Sequence, residues 1–321
     1  MTIAVVYGVT SALTLSAQGV ARHAWLRIGL ITADSANATP GAASVERGVR
    51  LGAAESKQTA ALFGDNVDIY EADGAGAAAI AAAARLLSAR KVQVVIGASG
   101  ADADALSKFA ESHHLLFVNA ASRSHALRAA CRRYTFHVEA TDAMYENAAR
   151  AAQQWPVTMS ANASGHVAGS RRDSVTLWGP NLQRFGASQL NDRYRDRYHL
   201  WMDGFAWAGW AAVKIVTEAA LRTQSTSPAK LVTYLESPAT QFDGHKGWPL
   251  TFRLADHQLR QPLYIAVLLG SGAYRYQDVP ELRDDSSLGS PRNPGPRTPY
   301  RILLDSLVAS PTARACPWRT K

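Results

Sequence analysis

From residue 25 to residue 122 the chain alternates short apolar runs with longer amphipathic or alanine-rich stretches. Short apolar runs bounded by turn signals predict buried strands, and longer stretches with apolar residues three and four apart predict helices. The pattern reads as strand 26–32, helix 43–63, strand 67–71, helix 76–89, strand 92–97, helix 102–112 and strand 115–119. Strands joined by helical crossovers form a parallel sheet covered on both faces. The expected fold class is therefore α/β, with a doubly wound parallel sheet. Ligands of such sheets sit beyond the carboxyl ends of the strands. There the sequence places Ala33-Asp34-Ser35, Ala98-Ser99-Gly100 and Ala120-Ala121-Ser122, all small or polar and able to offer backbone N–H groups.

Helix 43–63 is expected to turn Val45, Val49, Leu51, Ala53 and Leu62 toward the sheet. Helix 76–89 is nearly all alanine, the best helix former and small enough for close packing. Further on, 131–138 reads as a strand and 142–152 as a helix. The stretch 153–173 is small, polar and aperiodic, as in a long loop. A short strand 175–178 precedes helices 185–198 and 204–223. The second is apolar enough to require burial, with Trp207 and Trp210 on one face. Helix 228–235 starts with Pro228 at its first position. Strands 249–254 and 262–269 are expected to form a hairpin about 255–258. From 278 onward Pro, Arg, Ser and Gly dominate, and 290–299 reads as irregular.

Composition leaves this picture intact. The 321 residues are 47% hydrophobic and 19% charged, ordinary for a globular protein and enough for about two domains. The net charge of +8 comes mainly from scattered arginines, with no basic block of the kind that marks a nucleic-acid surface. Residues 2–20 are small and apolar, ending Ser16-Ala17-Gln18-Gly19-Val20-Ala21, as in a secretory signal. No Lys or Arg precedes Arg22, so the export signal is degenerate, or the segment is a weakly structured terminus. No other segment has the run of about 20 apolar residues that spans a bilayer. The two cysteines, Cys131 and Cys316, form no CxxC motif. They either pair across the chain in an oxidising compartment or remain two buried thiols.

Catalytic and metal motifs are weak. Gly97-Ala98-Ser99-Gly100-Ala101 has the strand-to-helix setting of a nucleophile elbow. Its second glycine is displaced, and no ordered Asp…His pair follows. Gly74-Ala75-Gly76 mimics a dinucleotide fingerprint but follows the second strand, and reads as a helix start. His113, His114, His125 and His137 lack the spacing that sets two ligands on one helix face, so surface or loop positions are expected and no metal site. Asp102 and Asp104 fit the first turn of a helix, where negative charge is favoured. No cofactor and no enzymatic activity are expected; a serine hydrolase using Ser99 is a distant third reading.

Taken in order, several stretches resemble the periplasmic substrate-binding proteins of ABC transporters, branched-chain amino-acid type. They are Leu26-Arg27-Ile28-Gly29-Leu30, Glu46-Arg47-Gly48-Val49-Arg50-Leu51-Gly52-Ala53, Val94-Val95-Ile96-Gly97 and Phe117-Val118-Asn119-Ala120-Ala121-Ser122. Later come Phe185-Gly186-Ala187-Ser188-Gln189-Leu190 and Phe205-Ala206-Trp207-Ala208-Gly209-Trp210. Phe242-Asp243-Gly244-His245-Lys246-Gly247-Trp248-Pro249, continuing through Gln258-Leu259-Arg260-Gln261-Pro262, is similar to the branch found with pyrroloquinoline-quinone-dependent alcohol dehydrogenase systems.

The resemblance implies a type I periplasmic-binding-protein fold of two doubly wound lobes closing on a ligand. Here the interval for the second lobe is reduced to 153–173. The implied organisation is a leader (1–24), the first part of lobe one (25–138) and a lobe-two remnant with its crossover (139–180). Helices returning to lobe one (181–240), a C-terminal hairpin (241–277) and an irregular tail (278–321) complete it. The resemblance places Ser99, Gly100, Ala120, Ala121 and Ser122, with Asp34 and Ser35, at a ligand carboxylate; serine at such positions also commonly caps a helix. It matches Cys131 to a family cysteine, while Cys316 lies in a diverged tail. The implied partners are a small polar or carboxylate-bearing solute and ABC permease subunits, in the periplasm and without nucleic acid or stable membrane insertion. The alternative is a degenerate binding protein that serves as an interaction or sensor module without transport.

Overall fold

The computed structural model describes residues 25–33, 39–153, 166–167, 175–268, 274–278 and 316–317. Its first half alternates β1 (Trp25–Thr32), α1 (Pro40–Ala61), β2 (Asn66–Asp73), α2 (Ala77–Arg90), β3 (Val94–Gly97), α3 (Ala103–Ser112), β4 (Leu116–Asn119), α4 (His125–Ala129) and β5 (Thr135–His137). There follow α5 (Asp142–Gln153), β6 (His166–Val167), β7 (Val175–Thr176), α6 (Ala187–Tyr198), α7 (Gly204–Thr223) and α8 (Pro228–Glu236). The chain then runs through β8 (Phe242–Asp243), β9 (Pro249–Phe252), β10 (Leu259–Arg260), β11 (Tyr264–Leu268) and β12 (Tyr274–Asp278).

Strands β1 to β5 form one parallel sheet in the order β2-β1-β3-β4-β5. Alternation along each strand sorts the side chains to two faces. Leu26, Ile28, Leu30, Val94, Ile96, Leu116 and Val118 face α1 and α7. Ile31, Val95 and Phe117 face α2 and α3. The three layers follow from a sheet that is apolar on both sides.

Helices α1 and α7 cross closely because glycine meets backbone on both. A Cβ on Gly48 would lie 1.9 Å from the Ala206 carbonyl oxygen, and one on Gly209 would lie 2.3 Å from that of Val45. Polar caps fix the same ends. Thr39 accepts from the Ala42 N–H, Asp203 accepts from Ala206 N–H at 2.8 Å, and the Ser44 hydroxyl donates to Asp203 at 2.7 Å. Trp207 and Trp210 are buried, as their helical spacing predicts, and donate their indole N–H groups to the Gly244 carbonyl and to Glu55.

The structure corrects several expectations. Leu62, the C-cap residue of α1, is exposed instead of facing the sheet. Residues 131–138 are not one strand: a turn after α4 leads to β5, which covers only Thr135–His137. The hairpin partner of β9 is β10. Strand β11 instead pairs with β12, β6 and β7 in a separate antiparallel sheet. His137 is buried on β5, against the surface or loop position its sequence suggested. Cys131 and Cys316 are joined, with Cα atoms 5.4 Å apart, and Cys316 N–H donates to the Ala255 carbonyl at 2.9 Å. The bridge thus ties the tail to the end of α4 and to the β9–β10 turn. The leader, the 154–165 and 168–174 stretches and the irregular segment 290–299 lie outside the described residues.

Candidate functional site

The strand order places its switch point between β1 and β3, which both neighbour strands leave in opposite directions. The crevice of such a sheet opens at the carboxyl ends of those strands. There the β3–α3 loop meets the β4–α4 loop: a Cβ on Gly100 would lie 3.1 Å from the Ala121 carbonyl oxygen and 3.4 Å from the Ser122 Cα. The structure therefore brings Ser99, Gly100, Ala120, Ala121 and Ser122 together. Asp34 and Ser35 lie outside the described residues.

Ser99 is half-buried, and its hydroxyl makes no hydrogen bond among the described residues. Among the described residues no histidine or carboxylate is hydrogen-bonded to it, the contact by which a serine nucleophile is activated. Asp102 does not cap its helix with its side chain. It accepts from the Gly76 N–H at 2.8 Å and pins the β2–α2 loop to the start of α3.

The β4–α4 loop differs from its expected role. Asn119 at the end of β4 accepts from the N–H groups of Ala121 (3.3 Å) and Ser122 (2.8 Å) and donates to the Ser122 carbonyl at 2.8 Å. An Asx-type turn of this sort satisfies the N–H groups within the chain. Ser122 is itself buried, and its hydroxyl accepts from the Ser124 N–H at 3.4 Å. The backbone donors that sequence assigned to a ligand at these two residues are thus already engaged.

Behind the loop lies a buried polar network that sequence reading missed. Arg128 donates to the Ser122 carbonyl (2.8 Å), the Ser124 carbonyl (3.0 Å), the Glu139 carbonyl (2.6 Å) and Gln258 Oε1 (3.1 Å). Burial pulls its guanidinium down to about 10, still charged at neutral pH. The same burial, with the Arg128 charge beside it, holds His137 well below the usual histidine value, so its ring is neutral. Gln258 closes the network by donating to the carbonyls of His137 and Glu139.

Glu139 follows β5 and is fully buried. Its Oε1 accepts from the Tyr145 hydroxyl at 2.7 Å and the Ala140 N–H at 3.2 Å, and Arg123 Nε lies 3.3 Å away. Its Oε2 has no hydrogen-bond partner among the described residues. Burial is the largest influence and raises this carboxyl above 4.5, against the pull of Arg123 and Tyr145.

The folded protein thus holds the Glu139 proton to higher pH than the unfolded chain does. Between the ordinary glutamate value and the raised one, the folded state binds more protons, and stability falls as pH rises. Glu139→Gln is expected to remove that part of the slope, each unit of separation being about 1.4 kcal/mol. Urea midpoints of both proteins from about pH 4.5 to about pH 7 measure it; equal slopes would refute the assignment.

Among the described residues no group of His, Cys, Asp and Glu side chains could hold a metal ion, and no helix is long and apolar enough to cross a membrane.

Comparison with known proteins agrees with the sheet geometry. Residues 26–163 match the family described as periplasmic binding protein. No curated protein matches the chain. Among solved structures it is similar to a branched-chain amino acid ABC transporter periplasmic ligand-binding protein of Burkholderia xenovorans. The TM-score is 0.64 at 11% identity, over 78% of this chain and 94% of that one. The branched-chain amino-acid substrate-binding protein LivJ of Streptococcus pneumoniae, in complex with isoleucine, gives 0.60 at 13% identity, over 80% and 100%. A solute-binding protein of R. palustris, in complex with benzoate, gives 0.61 at 15% identity, over 79% and 95%. The chain has the type I periplasmic-binding-protein fold.

Proposed function

We propose that this protein is a non-catalytic solute-binding component of an ABC importer, working outside the cytoplasm and presenting a small carboxylate-bearing or polar solute to permease subunits. The observation that carries the reading is the contact of the Gly100 and Ala121–Ser122 loops at the switch-point edge of a β2-β1-β3-β4-β5 sheet. Two solved structures of similar fold are complexes with isoleucine and with benzoate, and both ligands carry a carboxylate. The Cys131–Cys316 bridge fits an oxidising compartment. Ser99, Gly100 and Ala120–Ser122, with Asp34 and Ser35, form the lobe-one side of the site. A link to pyrroloquinoline-quinone-dependent alcohol oxidation belongs to this reading through the resemblance of residues 242–262 alone.

A second reading is favoured by one feature. Residues 154–174, between α5 and β7, are too few for a second lobe of domain size. A single lobe buries less of a ligand and binds it more weakly, so the chain would serve as an interaction or sensor module. Thermal-shift and calorimetric titration with amino acids, short alcohols, aldehydes and carboxylates separates the two. Saturable binding of any of these supports the importer component. Binding of none, by protein that melts cooperatively, supports the module.

A further inference from the structure

We propose that Arg123 is a ligand-binding residue, the anchor that selects a carboxylate anion at the carboxyl edge of the sheet. This rests on the solute-binding reading above and names the charge of the solute.

Four observations carry it. First, two of the backbone donors expected to take a carboxylate are spent: Asn119 Oδ1 occupies the N–H groups of Ala121 and Ser122, which leaves the β4–α4 loop without a free backbone donor at either residue. Another cationic or N–H donor must do that work. Second, Arg123 is the next residue along this loop, and its own carbonyl accepts from the Asp142 N–H at 3.2 Å, which fixes its backbone.

Third, the guanidinium is held but not consumed. It lies over the Tyr145 ring at 4.1 Å and the Phe205 ring at 5.1 Å, the second of which covers Gly41 at the start of α1. Its Nε is buried and faces Glu139 Oε1 at 3.3 Å without a hydrogen bond. The side chain is nevertheless 38% exposed. With Nε buried, that exposure belongs to the rest of the side chain; the contacts with Glu139 and Tyr145 use part of the guanidinium's five N–H donors and leave others for a further acceptor. A guanidinium with N–H donors left over can take both oxygens of one carboxylate. The two aromatic rings against the guanidinium restrict its rotamers before the ligand arrives, which lowers the cost of binding.

Fourth, the local charge is not balanced. Arg123 and Arg128 are two cations around one buried carboxylate, Glu139. Of the other nearby acids, Asp256 is paired with Arg253, and Asp142 is exposed, where water and salt screen it. A monoanion completes the balance; a second dianionic charge or a cation does not. A purely structural arginine would use its fork on protein acceptors, as Arg128 does.

The test uses isothermal titration of the full chain with L-leucine, benzoate and 3-methylbutanoate, each against its amide: L-leucinamide, benzamide and 3-methylbutanamide. The protein is expected to bind at least one acid about tenfold or more tighter than its amide, the size of a charged hydrogen-bonded contact. Arg123→Gln is expected to abolish that preference, and Arg123→Lys to keep part of it through charge without the fork. Thermal melts check that both variants fold. If Arg123→Gln does not fold, the acid-to-amide ratio of the native protein and of Arg123→Lys decides. An acid preference that survives unchanged in Arg123→Gln, or native protein that binds amide and acid alike, overturns the role of Arg123 and leaves solute binding standing. Failure of the native protein to bind any of the six, while it binds an alcohol or aldehyde of the wider screen, overturns this inference alone; binding of nothing in either set overturns it together with the importer reading.

Discussion

Gly48→Ala is expected to destabilise the protein by about 3 kcal/mol, although alanine is the better helix former by about 1 kcal/mol. The new methyl would sit 1.9 Å from the Ala206 carbonyl oxygen. That atom belongs to the backbone of α7, so relief requires the two helices to part by more than an ångström. Parting of this order forfeits a quarter to half of the dispersion energy across the interface. The neighbouring glycines supply a graded control. A Cβ would stand 2.3 Å from backbone at Gly209 and 2.8 Å at Gly52. Urea denaturation of the three alanine variants should rank Gly48 as the most costly and Gly52 as the least. A Gly48→Ala protein as stable as the native one would show that the helices do not cross as closely as described.

Arg128→Met is expected to cost about 4 kcal/mol. The Ser122 carbonyl keeps its bond from Asn119, and the Glu139 carbonyl keeps its bond from Gln258. The Ser124 carbonyl and Gln258 Oε1 lose the donor that Arg128 supplies. The buried Gln258 acceptor costs about 1–3 kcal/mol when left unpaired, and the partly buried Ser124 carbonyl less. Glu139 also loses a nearby positive charge in a site from which water is excluded. Arg128→Lys should recover part of the loss, because an ammonium carries the charge but cannot reach four acceptors in a plane. Hydrogen exchange should show the β4–α4 loop opening in Arg128→Met ahead of the sheet. A loss below about 1 kcal/mol would mean that the four bonds are not made together in solution.

These two residues differ in how far sequence could reach them. Gly48 and Gly52 lie four apart on a predicted helix, and Gly209 sits on the apolar helix that packs on it, so a close crossing is consistent with local pattern. Arg128 gave no such signal. Its partner Gln258 is 130 positions away, and no periodicity records a bond between a side chain and a distant side chain or carbonyl. The same holds for Lys246, which is buried and donates to the Leu177 carbonyl, Gln261 and the Pro262 carbonyl. It holds again for Glu139, whose partner Tyr145 is reached only because the chain turns from β5 into α5.

The sequence by itself determined the alternation of strands and helices, the burial of Trp207 and Trp210, and the three loops that a parallel sheet presents at one edge. Those features depend on local apolar spacing, which survives in any tertiary context. Only the tertiary structure decided how that edge is used. It turned Asn119 back onto the Ala121 and Ser122 N–H groups, joined Cys131 to Cys316, split the expected hairpin between two sheets, and set the Arg123 guanidinium against the Tyr145 and Phe205 rings. Each of these is set by where distant segments meet, and by the requirement that buried polar groups find partners wherever the fold happens to bring them.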